Sequence, residues 1–404
     1  MSNKDLNDSL DGIPRRLASA FQEAAKQMPC IVLQGPRQSG KTTLARSTFP
    51  EYRYESLENP VVRRFATDDP KAFLDQFKAE KGVILDEIQR VPDLFSWLQG
   101  IVDDDPRPGR FILTGSENYL LTHRVGQSLA GRVRLLRLLP FGLEELPESV
   151  REPELDRALW RGMFPRVVAG GISPTDWLPD YIETYLERDV RSLREIGDLA
   201  SFHRFLTACA SRTGQILNLQ ALACDCGISG PTAKAWLSIL EAGFAIFLLR
   251  PWHVNFGKRL VKSPKLYFWD TGLVCSLLGL RTAQALANNS IRGALYETFV
   301  ISEIQKAYLH TGRSIDLHYW RDSQGHEVDL LIPNGTGGQR AVEIKSGTTV
   351  QSDWFKSMEQ WNQLSGSDPK TNLLIHGGEG HQHRSKGEVV GWSSLGRWLA
   401  QSTD

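Results

Sequence analysis

Three runs in the first third of the chain are apolar almost from end to end: Cys30-Ile31-Val32-Leu33, Gly82-Val83-Ile84-Leu85 and Phe111-Ile112-Leu113. A strand with one face in water alternates apolar and polar side chains, so runs this uniform indicate strands covered on both faces, as in a parallel sheet. Between them the period changes. Residues 13 to 28 mix apolar and basic side chains at helical spacing. Thr43-Leu44-Ala45-Arg46 forms helix, and Asp69-Pro70 opens another from Lys71 to Lys78 with Phe73, Leu74 and Phe77 on one face. Tyr52 to Ser56 reads as a short strand ended by Asn59-Pro60, and Val133 to Leu138 as a strand carrying Arg134 and Arg137. This alternation predicts an α/β fold.

From Leu143 to about Leu199 the spacing is helical, with Leu155, Ala158 and Leu159 at i, i+3, i+4. Tyr181 to Val190 is a second amphipathic helix, and Arg188, Arg191 and Arg194 give it a basic flank, read as a solvated face before a phosphate contact. Residues 202 to 250 then run helix, Gly227 turn, helix, strand. Ser229 is placed to cap the second helix and Pro231 to occupy its first turn. That order is the layout of a winged helix-turn-helix. Its second helix offers Thr232, Lys234, Ala235, Ser238 and Glu241 outward, one lysine against one glutamate, which gives little hold on a duplex backbone. DNA binding and protein packing both stay open for this element. Lys258, Arg259, Lys262 and Lys265 add local positive charge that a wing could present to phosphate.

The chemistry begins at Gly35-Pro36-Arg37-Gln38-Ser39-Gly40-Lys41-Thr42, which follows a strand, precedes a helix and fits G-x-x-x-x-G-K-[ST]. The glycines let successive amide N–H groups turn inward on a phosphate, beside the positive end of the helix that continues with Thr43. Lys41 neutralises β- and γ-phosphates and Thr42 binds Mg²⁺. Asp86 and Glu87 close the second apolar run, where α/β sheets place ligands. Asp86 is expected to hold Mg²⁺ and Glu87 to orient or deprotonate the attacking water. Thr114, Ser116 and Asn118, after the third run, either sense the γ-phosphate or merely close the strand in a turn. Arg132 is the candidate arginine finger for a neighbouring subunit, its alternative being an ordinary ion pair.

A second constellation lies near the C-terminus. Leu295 to Ile304 is a helix holding Glu297; Leu317 to Trp320, Glu327 to Ile332 and Ala341 to Ser346 are strands. Period two puts Glu343 and Lys345 on one face. Helix-acid, strand-acid and then E-x-K resembles the restriction-endonuclease-like nuclease fold, which is also used for binding without cleavage. That resemblance implies Mg²⁺ held by Asp329 and Glu343, with Lys345 steadying the attacking water or leaving charge and Glu297 completing the acid cluster. His381-Gln382-His383 is read as a mobile polar loop in preference to a metal site.

Composition narrows the class. A chain of 404 residues suggests roughly two to four domains. Lysine plus arginine equals aspartate plus glutamate at 47 each, so no overall basic field advertises nucleic acid. The five cysteines (Cys30, Cys209, Cys224, Cys226, Cys275) lack C-x-x-C spacing and read as reduced thiols, neither a disulfide frame nor a zinc site. Met1 to Gly12 has no apolar signal core, and no run reaches the ~20 apolar residues of a membrane span. The expectation is a cytoplasmic protein.

Residues 28 to 145 resemble the AAA-type ATPase domains of the prokaryotic ATP-binding protein family that carries an uncharacterised conserved C-terminal region. The matching stretches are Gly35–Thr42, Leu85-Asp86-Glu87-Ile88-Gln89-Arg90-Val91-Pro92, Leu113-Thr114-Gly115-Ser116, and Leu129-Ala130-Gly131-Arg132 before Leu139-Pro140-Phe141. The resemblance implies ATP as the nucleotide and a homo-oligomer. The expected domains are an AAA-type P-loop ATPase over 1–145, a helical lid or connector over 146–200, a winged helix-turn-helix over 201–285 and a nuclease-like α/β domain over 286–404. The leading function is ATP-dependent action on DNA with metal-dependent phosphodiester cleavage. The alternative is a nucleotide-dependent switch whose C-terminal domain is a scaffold for a protein partner.

Overall fold

The computed structural model describes residues 12–116, 129–186, 199–252, 263–335 and 337–403. Asn118, the Arg188, Arg191 and Arg194 flank, and Lys258, Arg259 and Lys262 lie outside the described residues. The chain forms two compact units. The first runs to Phe141 and takes in Ala242–Phe244 and Leu309–Arg313; the second comprises Gly142–Glu241, Ala245–Tyr308 and Ser314–Asp404.

The first unit is built on a five-stranded parallel sheet. Helix α1 (Leu17–Gln27) leads into β1 (Cys30–Gln34), followed by α2 (Lys41–Thr48), β2 (Arg53–Ser56), α3 (Pro60–Asp68), α4 (Pro70–Asp75), β3 (Val83–Asp86), α5 (Leu94–Asp104), β4 (Phe111–Gly115) and β5 (Val133–Arg137). The spatial order is β2-β3-β4-β1-β5, all parallel. The uniform apolar runs are explained by two cores, one per face. Val32, Leu85 and Leu113 pack with Phe73, Leu94 and Leu98 on one side; Ile31, Leu33, Ile84 and Ile112 pack with Leu17, Phe21 and Leu44 on the other. The helix expected to reach Lys78 ends at Asp75, and Phe77 and Lys78 continue with i→i+3 bonds to Leu74 and Asp75. Leu309–Arg313 joins this unit through His310 Nε2, which accepts from Leu139 N–H at 3.2 Å, and Gly312 O, which accepts from Arg134 at 2.8 Å.

The second unit opens with α6 (Leu155–Arg161), α7 (Pro165–Val168) and α8 (Pro174–Tyr181). Then come α9 (Leu199–Ala210), β6 (Gln215–Ile216), α10 (Leu219–Cys226), α11 (Gly230–Ala242), β7 (Ile246–Pro251) and β8 (Lys265–Phe268). Asn218 caps α10 by accepting from Ala221 N–H at 3.0 Å, and Ser229 Oγ accepts from Thr232 N–H at 3.1 Å to start α11. Trp236 packs edge-on against Phe202 and Phe205, so the inward face of α11 is spent on holding α9.

After α12 (Thr271–Leu277), α13 (Ala283–Ala287) and α14 (Arg292–Leu309), the chain makes β9 (His318–Arg321), β10 (Glu327–Pro333), β11 (Gln339–Lys345), α15 (Lys356–Ser365), β12 (Leu373–His376), β13 (His381–Arg384), β14 (Gly387–Gly391) and α16 (Trp392–Ser402). One mixed nine-stranded sheet runs β13-β14-β12-β11-β10-β9-β7-β8-β6. Its centre is an antiparallel meander, β9-β10-β11, continued by parallel β12 and β14. Helix α15 makes the crossover from β11 to β12, and its Met358 and Trp361 pack on Trp320, Val328 and Leu374. His381 and His383 correct the expectation of a loop: they stand on β13, hydrogen-bonded to β14 at the sheet's edge.

Candidate functional site

Strand order explains the first site. Because β4 lies between β1 and β3, the loop leaving β1 and the acids ending β3 flank Thr114 at the same end of the sheet. Gly35 has φ +155, and a Cβ there would lie 1.9 Å from Leu138 O, so side chains are excluded at this turn. Gly40 (φ +93) and Gln38 (φ +63) supply further left-handed turns before α2 begins at Lys41. Pro36 and Ser39 are buried, Arg37 lies 3.8 Å from Glu58, and Thr43 is half-buried on α2. Lys41 Nζ donates to Gly35 O at 2.9 Å and Pro36 O at 2.8 Å, folded back over the loop. Ser39 Oγ is buried with no hydrogen-bond partner among the described residues. A lysine folded onto its own loop's carbonyls, beside a buried unsatisfied hydroxyl, is what a cradle shaped for a phosphate presents.

Asp86 is the hub. Both its carboxylate oxygens accept from Thr42 Oγ1 at 3.1 Å, Oδ2 accepts from Tyr54 OH at 2.8 Å, and Oδ1 accepts from Thr114 Oγ1. Hydroxyl oxygen and carboxylate oxygen so close together form the hard-oxygen donor set that Mg²⁺ prefers, and the residues fit that ion. Glu87 turns to other partners, with φ +56 in the left-handed region. Its Oε2 accepts from Ser116 Oγ at 3.3 Å and from Gln89 Nε2, which also donates to Ser116 Oγ at 3.3 Å. Thr114 and Ser116 thus serve different acids. Arg132 is not brought to this group: it pairs with Asp103 and donates to Ala130 O at 3.1 Å.

Two members of the loop's surroundings were not picked out by sequence. Arg15 donates to Ser39 O and Leu139 O, each at 2.8 Å, and stacks over Phe141 at 4.7 Å, tying the loop to the segment after β5. Tyr54 reaches Asp86 from β2, and burial first, then the Asp86 charge, pushes its hydroxyl pKa up, so it stays a donor.

In the second unit, Asp329 on β10 and Glu343 and Lys345 on β11 do converge. Lys345 Nζ lies 2.5 Å from Glu343 Oε1 and 3.8 Å from Asp329 Oδ2, which accepts from Ile344 N–H at 2.8 Å. Glu343 Oε2 is buried with no hydrogen-bond partner among the described residues. Glu297, on α14, accepts at Oε1 from Tyr267 OH at 2.5 Å and Lys265 Nζ at 3.0 Å. Lys265 also pairs with Glu327 and is 2% exposed. It is therefore an internal countercharge, not the surface phosphate contact its neighbours in sequence suggested. Burial, then the Asp329 charge, pushes Glu343 up to about 8; burial also lifts Glu297 to about 7 against the pull of Lys265. Both lysines are raised: the surrounding carboxylates outweigh the burial that would lower them. Tyr267, Lys265 and Glu327 were missed as partners because each is fixed by pairing distant in sequence. The orphaned Glu343 oxygen beside Asp329 fits a divalent cation.

Among the described residues, no helix is long and apolar enough to cross a membrane. Comparison with known proteins divides the chain in three. Residues 27–147 match the family described as AAA domain, residues 152–284 a domain of unknown function (DUF8612), and residues 292–395 another (DUF4143). Two relatives, uncharacterized proteins of Mycobacterium tuberculosis and Mycobacterium bovis, are each 35% identical over 344 residues, covering 83% of this chain and 75% of theirs. Among solved structures, the Walker-type ATPase PABY2304 of Pyrococcus abyssi aligns with 16% identity and a TM-score of 0.44 over 65% of this chain and 94% of its own. The RuvB Holliday junction branch migration motor of Thermotoga maritima aligns with 20% identity and a TM-score of 0.29 over 62% and 90%. The chain carries an AAA-type P-loop ATPase domain and belongs, with the mycobacterial proteins, to the family in which that domain is followed by the DUF8612 and DUF4143 regions.

Proposed function

We propose that this protein hydrolyses ATP at Gly35–Thr42 and Asp86–Glu87, and couples that reaction to a winged-helix and nuclease-like C-terminal unit that acts on DNA. The observation that carries the reading is the approach of Thr42 Oγ1 to both oxygens of Asp86 at 3.1 Å, with Thr114 on the same carboxylate. Thr42 and Asp86 would hold Mg²⁺, which spreads the charge of the triphosphate. Lys41 leaves Gly35 O and Pro36 O to meet the phosphates. Glu87, steadied by Gln89 and Ser116, orients the water whose oxygen bonds to the γ-phosphorus as the bridging oxygen departs with ADP. In a homo-oligomer, Arg132 released from Asp103 is the arginine assigned to a neighbour's γ-phosphate. The test is phosphate release with and without DNA. Lys41→Ala and Asp86→Ala should each lower kcat/KM by about 10²–10³; parental rates in both would sink the reading.

The meander β9-β10-β11, the α15 crossover and parallel β12, preceded by α14, support a restriction-endonuclease-like core, and the convergence of Asp329, Glu343 and Lys345 on its adjacent strands β10 and β11 supports a charged site there. Metal-dependent phosphodiester cleavage is the activity proposed there, with Asp329 and Glu343 holding the metal. Incubation of DNA and RNA with Mg²⁺ or Mn²⁺, comparing the parent with Asp329→Ala and Lys345→Ala, checks it. One observation favours the second reading, a switch with a non-catalytic scaffold: Glu297 already has Lys265 and Tyr267 as partners. Absence of any metal-dependent cutting would select it.

A further inference from the structure

The two histidines of β13 lie away from the Asp329–Glu343–Lys345 group. In the sheet order β14 and β12 separate β13 from β11 and its Glu343. Strand alternation puts His381 and His383 on one face, with Gln382 and Arg384 on the other, where the guanidinium of Arg384 is held by Gln382 Oε1 at 2.8 Å. His383 is directly opposite Glu388 in the antiparallel pair. His381 Nε2 is 2.7 Å from Glu388 Oε1, the two imidazole centroids are 5.1 Å apart, and the ligand atoms of all three residues lie within 4.8 Å of one another.

We propose that His381, His383 and Glu388 form a binding site for a borderline divalent cation such as Zn²⁺. Two imidazoles and one carboxylate are a ligand set suited to zinc, with water at the fourth position; nitrogen donors select against Mg²⁺ and Ca²⁺. A Zn–N bond is about 2.0–2.1 Å, so rotations of the two exposed imidazoles must draw the ligand atoms in. The anchor is the carboxylate. Glu388 Oε1 accepts from Trp398 Nε1 at 3.0 Å and Oε2 pairs with Arg340, fixing the ligand from α16 and β11 as outer partners orient metal ligands elsewhere. A simple His381–Glu388 hydrogen bond leaves His383 without a role; coordination uses both. The ion would fasten the sheet's edge strand across the hairpin.

Calorimetric titration of the full chain with ZnCl₂ tests this, in parallel with His383→Ala and with His381→Ala/His383→Ala. Both histidines are exposed, so these variants should fold; Glu343→Ala serves to set aside zinc taken up by the Asp329–Glu343 group. The parent and Glu343→Ala should share a zinc-binding event that weakens at least tenfold in His383→Ala and vanishes from the double variant, together with the zinc-induced rise in melting temperature. Equal zinc uptake and affinity in the parent and the double variant, or an unchanged event in His383→Ala, would overturn the proposal.

Discussion

Glu144 offers the sharpest quantitative test of the second unit. It lies in the 3₁₀ turn Leu143–Glu145; the residue is half-buried, but both its carboxylate oxygens are inaccessible to water and have no hydrogen-bond partner among the described residues. Its neighbours are better served. Glu303 pairs with Lys306 and accepts from Leu143 N–H at 2.5 Å, and Glu145 accepts from Gly142 N–H at 2.8 Å. Burial first, then the charges of Glu303 and Glu145, pushes Glu144 from 4.5 up to about 8. Below pH 4.5 the group is protonated whether the chain is folded or not, and it costs nothing. Between 4.5 and 8 the unfolded chain releases the proton and the folded chain keeps it, so stability falls as pH rises; above 8 the cost is constant. At about 1.4 kcal/mol per pH unit, the penalty at pH 7 is about 3 kcal/mol and its ceiling about 5. Glu144→Gln keeps the shape and removes the titration. Calorimetric melting at pH 5, 7 and 9 should find the variant increasingly more stable than the parent, by on the order of 6–12 °C at pH 7. Subtracting the parent at each pH cancels the titrating groups that do not interact with Glu144. A variant no more stable at pH 8, or a difference that does not change with pH, would refute the reasoning.

Other substitutions probe the geometry directly. Gly35→Ala would drive a methyl into the backbone carbonyl of Leu138, 1.9 Å away, so the loop must shift: binding of a fluorescent ATP analogue should fall more than tenfold, and the melting temperature should fall with it. Tyr54→Phe removes one donor from Asp86 and leaves Thr42 and Thr114 in place; ATP turnover should drop less than about tenfold, against the larger loss in Asp86→Ala. Gly162→Ala combines a φ of +70 with a Cβ 2.4 Å from Asp270 Oδ1, and should cost about 2–4 kcal/mol in denaturant unfolding. Asp270→Ala should be comparable, since it strips the acceptor from Met163 N–H at 2.6 Å and Leu273 N–H at 3.1 Å, and the double variant should lose less than the sum.

What could be read from the chain was what neighbours in sequence decide. The phosphate loop and the acids after Leu85 are local features, and the buried strands around them announce themselves because both faces are apolar. Contacts set by strand order stayed hidden. Tyr54 meets Asp86 because β2 lies beside β3, and Arg15 meets Leu139 across 124 residues. Lys265 looked like surface charge because nothing near it in sequence shows that β8 carries it to Glu297 and Glu327. The strand at His381 was invisible for a different reason: all four residues of β13 are exposed, so no apolar alternation marks it, and pairing with β14 alone makes it a strand.

The continuity of the nine-stranded sheet has a consequence for heredity. β7 and β9 are joined by the pairs Arg250↔His318 and Pro251↔Tyr319, and Trp252 N–H donates to Tyr319 O at 2.7 Å. One partner strand comes from the DUF8612 region and the other from the DUF4143 region. Severing the gene between them would leave each fragment with a raw, unpaired strand margin prone to clumping. A recombination event that separated the two regions would hand each descendant half a sheet.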